Sequence, residues 1–390
     1  MSSSIKNSFI NIIIIYTSIL FLSNDAYLPA LPAVMSSLST SYHSTQLSLT
    51  TWFLGSACVQ LFLGAISDRF GRRPCVLIGA GVFIMTSLLC AFSPNISIFL
   101  IARLFQGASV ATMLVAGYAC IHEYFDSEYA VKVLGKMNSV TVLAPALGPL
   151  LGAGFLLFMG WRSIFLFLGF AATLCLIGLI YKLPETIQEQ HPLHLKRLLK
   201  QYKNVLLNHG FFFNSLSYCA IFAGLITWIT AGPFLVVDVF KLNTLYFAIL
   251  QGIIFGAFIL GSLSLKFNFV TKYQVRIILP MLFLILITSL ISVILSYFYP
   301  QMLSSLIIPL CIYAFAGGIL MPILSRKAID SCTAPMGVII AVQATMLSTF
   351  GALSSAAVGY FYHHTLFPIT LIIFILTFLA YLRTFFIFGY

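Results

Sequence analysis

The sequence predicts an all-α integral membrane protein with twelve transmembrane helices in two six-helix bundles and both termini cytoplasmic. Three observations carry that prediction. Only 7% of the 390 residues are charged and 61% are hydrophobic, with a mean hydropathy of +1.05, whereas an average soluble protein is roughly a quarter charged. The apolar residues gather into runs near the ~20 residues that a helix needs to cross a bilayer core. The lysines and arginines fall almost entirely on one side of those runs. So few charges cannot build a water-facing surface, which excludes soluble enzymes, nucleic-acid modules and disordered chains. The net charge of +11 is read against a membrane, not against nucleic acid.

The runs cover residues 9–35, 46–66, 75–92, 97–119, 133–157, 163–182, 210–236, 244–265, 275–298, 302–323, 335–360 and 366–386. Each is helical, because backbone groups in lipid must be satisfied within the segment, and no alternating barrel pattern is present. The first run resembles a signal peptide, with Lys6 ahead of Phe9–Leu22, but no small-x-small cleavage site follows it. It is read as a retained helix. With the amino terminus inside, the inner loops receive seventeen of the 20 Lys and Arg residues and the outer loops two, Arg162 and Lys241. Arg103 falls within a span. That asymmetry fixes the orientation.

The longest polar segment, Pro184–His209, carries Glu185, Glu189, His191, His194, Lys196, Arg197, Lys200 and Lys203. It separates an N-terminal bundle (1–183) from a C-terminal bundle (210–390), with 184–209 as a cytoplasmic central loop. Leu195, Leu198, Leu199 and Tyr202 beside the positive charges describe an amphipathic helix on the inner, anionic leaflet. The eight cysteines form no CxxC pair and lie mostly in apolar stretches, where thiols act as small hydrophobes. His191 and His194 are an isolated pair in a solvated loop. No metal site is expected.

Of nine acids, eight sit in loops or at span ends, and Asp25 alone lies well within a span. Arg103 is the comparable cation. Ionisable groups within the bilayer normally face a bundle interior and serve ions or substrates. Asn11, Ser18 and Asp25 recur every seven residues, on one face of the first helix. Burial favours a neutral carboxyl and a nearby guanidinium favours the carboxylate, so protonation becomes sensitive to what else occupies the cavity. The same residues also allow a purely structural Asp25–Arg103 ion pair. Proximity to these polar positions selects Tyr27, Gln106, Met113, Asn138, Asn214, Tyr218 and Gln251 as candidate substrate-cavity residues.

Gly64-Ala65-Ile66-Ser67-Asp68-Arg69-Phe70-Gly71-Arg72-Arg73 resembles the GxLxDRxGRR loop after helix two of the major facilitator superfamily, with Ile66 for Leu, and with two further motifs the resemblance spans the whole chain. Gly64 is read as allowing close helix approach, Gly71 as permitting a tight turn. Asp68, Arg69, Arg72 and Arg73 are read as making charge-assisted bonds to a helix end. In the family this loop is a cytoplasmic latch. Arg103-Leu104-Phe105-Gln106-Gly107 matches the helix-four RxxQG motif. Gly148-Pro149-Leu150-Leu151-Gly152-Ala153 resembles the helix-five GPxxGG motif of drug/proton antiporters, with Pro145 upstream, Ala153 replacing the last Gly, and Ala144 replacing a further Gly. Asp25-Ala26-Tyr27-Leu28-Pro29-Ala30-Leu31-Pro32, Trp161-Arg162-Ser163 and Leu183-Pro184-Glu185-Thr186 are similar to the Bcr/CflA branch, whose members export bicyclomycin and chloramphenicol. The second-half counterpart of the latch, Gly261–Lys266, lacks the acid and the GRR.

The resemblance implies the superfamily's pseudo-symmetric fold and a bacterial inner-membrane location. It also implies proton-driven export of small amphipathic compounds by alternating access, with Asp25 as the proton-binding carboxylate and Arg103 as its modulating partner. The alternative is a carrier of the same fold dedicated to one metabolite or siderophore. No catalytic constellation or nucleotide motif occurs. The expected partners are a small-molecule substrate, protons and lipid, with no cofactor, no nucleic acid and a monomeric chain.

Overall fold

The computed structural model describes residues 3–187, 195–266 and 274–388. Every described element is helical: α1 (Ser3–Asp25), α2 (Leu31–Ser37), α3 (Tyr42–Phe70), α4 (Arg72–Ala91), α5 (Ile96–Thr112), α6 (Tyr118–Tyr124), α7 (Ser127–Phe158) and α8 (Trp161–Lys182), then α9 (Leu195–Leu207), α10 (His209–Phe234), α11 (Thr244–Ser264), α12 (Gln274–Phe298), α13 (Ser304–Asp330), α14 (Met336–Phe361) and α15 (Phe367–Phe388). Among the described residues eleven spans are long and apolar enough to cross a membrane, and Phe367–Tyr381 of α15 is a shorter apolar helix in the twelfth position. Wide π-type turns at Met113–Gly117 and Leu235–Val239 extend the fourth and seventh spans.

The first span departs from the continuous helix expected over 9–35. It ends as an α-helix at Asp25, passes through Ala26 and Tyr27, and resumes by a single 3₁₀ turn at Leu28–Ala30 into α2. Pro29 has no N–H to return to the Asp25 carbonyl, and Pro32 has none for Leu28. Two prolines three residues apart therefore end one helix and begin the next. Pro145 and Pro149, by contrast, are accommodated inside the unbroken α7.

The chain divides into two compact units, Met1–Thr40 with Thr51–Lys196, and Ser41–Thr50 with Arg197–Tyr390. The first turns of α3 belong to the second unit because their polar side chains bond there. Gln46 donates to the Thr230 carbonyl at 2.7 Å, His43 hydrogen-bonds the Gly359 carbonyl at 3.1 Å, and Thr50 donates to Ser355 at 3.1 Å.

Each unit contains a tight helix crossing made by glycines. In the first, a Cβ on Gly55 would overlap the Leu104 carbonyl, and one on Gly107 the Trp52 carbonyl, where α3 crosses α5. In the second, Gly261 meets the Phe315 carbonyl and Gly318 the Phe258 carbonyl, where α11 crosses α13. These are the second and fourth spans of each set of six. Such small-residue contacts let helix backbones touch, which drives association in lipid. Gly64, the glycine that the sequence reading assigned to close approach, is not one of them: a Cβ there would meet only a Val115 methyl, at 4.0 Å.

In the central segment, α9 buries Tyr202 and Val205 and exposes Lys200 and Lys203; of the apolar face expected from the sequence, Tyr202 is buried, Leu198 half-buried and Leu199 exposed. Glu189, His191 and His194 lie outside the described residues.

Candidate functional site

The site is built on the break in the first span. Because α1 stops at Asp25, its last carbonyls have no helical donor, and a C-terminal helix end carries partial negative charge. Arg103, on α5, fills that end. It is fully buried, and its Nη1 donates to the Ser23 carbonyl at 3.0 Å and to Gln106 Oε1 at 2.6 Å. Its Nη2 donates to Asn24 Oδ1 at 3.1 Å. Gln106 is held in turn by donating to Ser87 on α4 at 2.9 Å. The guanidinium stands 4.9 Å from the Tyr27 ring centroid and 6.0 Å from that of Trp52, within cation–π range. Tyr27 is packed against Phe99 and Phe165. Arg103 Nε has no hydrogen-bond partner among the described residues.

Asp25 is 5% exposed and is the only buried acid among the described residues, as Arg103 is the only buried base. The two make no direct ion pair among the described residues. Asp25 is instead approached by the Asn24 side-chain amide, at 3.5 Å. The helix-five motif presses on it from behind. A Cβ on Gly148 would collide with the Asp25 side chain, and one on Gly152 with the Ala26 carbonyl. The motif's small residues are there so that α7 can touch the broken backbone itself.

The latch loop is a second constellation, in the same unit. Arg72 pairs with Asp68 and, at 2.9 Å, with Glu123, and donates to Ser67. Gly71 turns with φ +104°, a left-handed conformation that suits glycine. Glu185, contributed by the Leu-Pro-Glu-Thr stretch after α8, accepts from the backbone N–H groups of Arg72 at 3.0 Å and Arg73 at 3.2 Å, capping the start of α4. The same carboxylate accepts from the N–H groups of Thr186 and Ile187, and Thr186 donates to Glu123. Arg73 reaches the Ile180 carbonyl at 2.7 Å. Arg69 lies over Phe70, 5.2 Å from its centroid.

The cavity candidates scatter. Tyr27 and Gln106 belong to the arginine's shell. Met113 is fully buried at the start of the first π-type turn, and Asn138 is exposed and accepts from Tyr118 at 3.1 Å. In the second unit, Asn214 and Tyr218 are half-buried; Asn214 donates to the Gly210 carbonyl. Gln251 is buried and accepts from Trp228 at 2.6 Å, its own amide nitrogen without a partner among the described residues.

The sequence profile of the Major Facilitator Superfamily matches residues 13–356. The chain belongs to this superfamily. Among its superfamily relatives, Multidrug resistance protein MdtM of Escherichia coli K12 is 27% identical over 336 residues, 84% of this chain and 80% of that protein. Multidrug transporter MdfA of Escherichia coli O6:H1 is 31% identical over 313 residues, 79% of this chain and 75% of that protein. Two solved structures share the fold. A bacterial homologue of the human lysosomal transporter Spinster has a TM-score of 0.72 at 15% identity, covering 92% of this chain and 83% of that one. The human organic anion transporter MFSD10 has a TM-score of 0.68 at 17% identity, covering 97% and 100%. A superfamily member with many apolar spans and such Escherichia coli relatives is an integral protein of the bacterial inner membrane.

In this superfamily member, sequence reasoning singled out Asp25, Tyr27, Arg103 and Gln106, which the structure brings together, and the loop residues Asp68, Arg72 and Arg73, which bond to neighbouring elements. It missed Ser23, Asn24, Ser87 and Trp52 around the arginine, and Glu123, Glu185 and Thr186 around the latch. Asn24 carried a readable signal, a polar amide next to the one acid within a span.

Proposed function

We propose that this protein exports small amphipathic compounds, drugs among them, in exchange for protons, by alternating access. The observation that carries the reading is the one buried carboxylate among the described residues, at a helix break and next to a buried arginine with which it makes no direct ion pair there. A carboxyl without a fixed counter-charge can take up and release a proton as its surroundings change. MdtM and MdfA are both described as multidrug proteins, which favours this reading over a carrier dedicated to one metabolite or siderophore. Asp25 binds the proton, Arg103 modulates it, and Asp68, Arg72, Glu123 and Glu185 hold the inner latch. The protein works as a monomer, without cofactor or catalytic chemistry, and draws its energy from the proton gradient.

Transport in proteoliposomes with an imposed pH gradient tests this, using chloramphenicol and other amphipathic drugs against siderophores. Drug movement opposite to the proton flux, abolished by Asp25→Asn, is expected. Full gradient-driven transport by Asp25→Asn removes the coupling assignment.

A further inference from the structure

We propose that Asn24 is a positioning residue for proton exchange, a one-amide relay through which the hydrogen bonding of Arg103 acts on Asp25. The inference rests on the proton-coupled reading above and adds a residue that reading does not use.

The orientation of the Asn24 amide is forced by its neighbours. Arg103 can only donate, so the atom of Asn24 facing Nη2, at 3.1 Å, must be the carbonyl oxygen. The amide nitrogen then points the other way, and what it meets is Asp25 Oδ1, at 3.5 Å. An amide flipped about its last bond would set N–H against N–H at the arginine and oxygen against oxygen at the aspartate. One planar group thus presents an acceptor to the cation and a donor to the acid, and it can do both only in this orientation.

The arginine is itself held from several sides, so it is a fixed reference. The Ser23 carbonyl and Gln106 take Nη1, Ser87 holds Gln106, and the Tyr27 and Trp52 rings flank the guanidinium. Asp25 is confined on another side by Gly148 of α7. No ion pair joins Asp25 and Arg103 among the described residues. Asn24 therefore supplies the hydrogen-bonded route between the two groups. When Asp25 is ionised its oxygen draws the amide N–H in, since hydrogen bonds to a charged acceptor are shorter and stronger. When Asp25 is protonated that bond weakens, and Asn24 is freer to leave Nη2. Arg103 Nε, without a hydrogen-bond partner among the described residues, leaves a spare donor on the otherwise fixed guanidinium.

The test uses the full-length protein in liposomes. Infrared difference spectra taken across pH, with Asp25→Asn as the reference, follow the carboxyl band of Asp25 as it protonates. Asn24→Ala and the smaller perturbation Asn24→Ser both remove the bridging amide. Each is expected to move the midpoint toward higher pH by roughly one to two units, the size of one lost hydrogen bond to a carboxylate. Arg103→Lys keeps the charge and loses the planar fork. It should shift the midpoint in the native background and not in Asn24→Ala. Thermal unfolding identifies which variant keeps the native fold, and the midpoint is read from that one. Midpoints within about 0.2 pH unit of native in the folded Asn24 variants, or an equal Arg103→Lys shift with and without Asn24, overturn the relay. Drug transport by Asp25→Asn in the same vesicles addresses the coupling reading separately. Loss there with unmoved Asn24 midpoints sinks the relay alone, and retained transport with moved midpoints sinks the coupling and keeps the relay.

Discussion

Arg103 cannot shed its charge, and it lies in a span with no exposed surface. It is tolerable there because the fold supplies three acceptors and two aromatic faces, and because the negative end of α1 points at it. Each partner has a direction. A lysine would keep the charge, but an ammonium cannot span Ser23, Asn24 and Gln106 as the planar fork does. Arg103→Lys is therefore expected to leave at least one buried acceptor unpaired and to destabilise the protein by about 1–3 kcal/mol. Arg103→Met, which leaves all three acceptors without their donor, should cost more. Thermal unfolding in detergent measures both, and equal stability of native and Met variants would show that the shell contributes nothing. The acid on the latch side is argued in the same way. Glu185 takes four backbone N–H groups. Its change to alanine should cost about 0.5–2 kcal/mol, as loss of a helix cap does. Faster amide exchange over residues 71–75 than in the native protein is the expected sign of it.

At the scale of the element, α7 decides how the first span is held. Gly148 and Gly152 face the Asp25–Ala26 backbone with no room for a methyl group, while Gly135 and Gly154 on the same helix face open space. The comparison isolates packing from helix propensity. Gly135→Ala and Gly154→Ala are expected to be neutral or to stabilise by up to about 1 kcal/mol. Gly148→Ala and Gly152→Ala must displace α7 or the break, costing about 1–3 kcal/mol and reducing proton-driven transport. Melting temperatures of the four variants check this, and matching values across them would remove the contact from the account. This contact also marks where the sequence stops being legible. Spacing in Gly148-Pro149-Leu150-Leu151-Gly152 says that a helix comes close, yet not which one, because the partner lies over a hundred residues away. The spans were readable because immersion in lipid is a property of composition along one segment. The break was readable in Pro29 and Pro32, and was passed over because hydropathy runs through it without interruption. Gly64 was credited with a contact that belongs to Gly55, nine residues earlier on the same helix. Glu185 looked like one more loop acid, since its backbone partners Arg72 and Arg73 are 113 and 112 residues away.

For the whole molecule, the proposed coupling through Asp25 has a consequence for charge movement. Among the described residues Asp25 is the only buried acid, so a cycle coupled through it alone would exchange one proton. Exchange of one inward proton for a neutral cargo moves one net positive charge inward. Exchange for a monovalent cation moves none, and exchange for a divalent cation moves one outward. One charge crossing 100 mV contributes about 2.3 kcal/mol, and a tenfold gradient corresponds to about 1.4 kcal/mol. An inside-negative potential of that size should therefore raise the limiting gradient of a neutral drug by about fortyfold. It should leave a monovalent cation responsive to the pH difference alone, and oppose export of a dication. Proteoliposomes with the potential set by valinomycin and potassium, and the pH difference set independently, separate these cases. A neutral drug whose gradient ignores the potential would mean that no net proton is exchanged for it, and a monovalent cation whose gradient follows the potential would mean that Asp25 is not the sole proton carrier. A second group, outside the buried set, would then have to move with it.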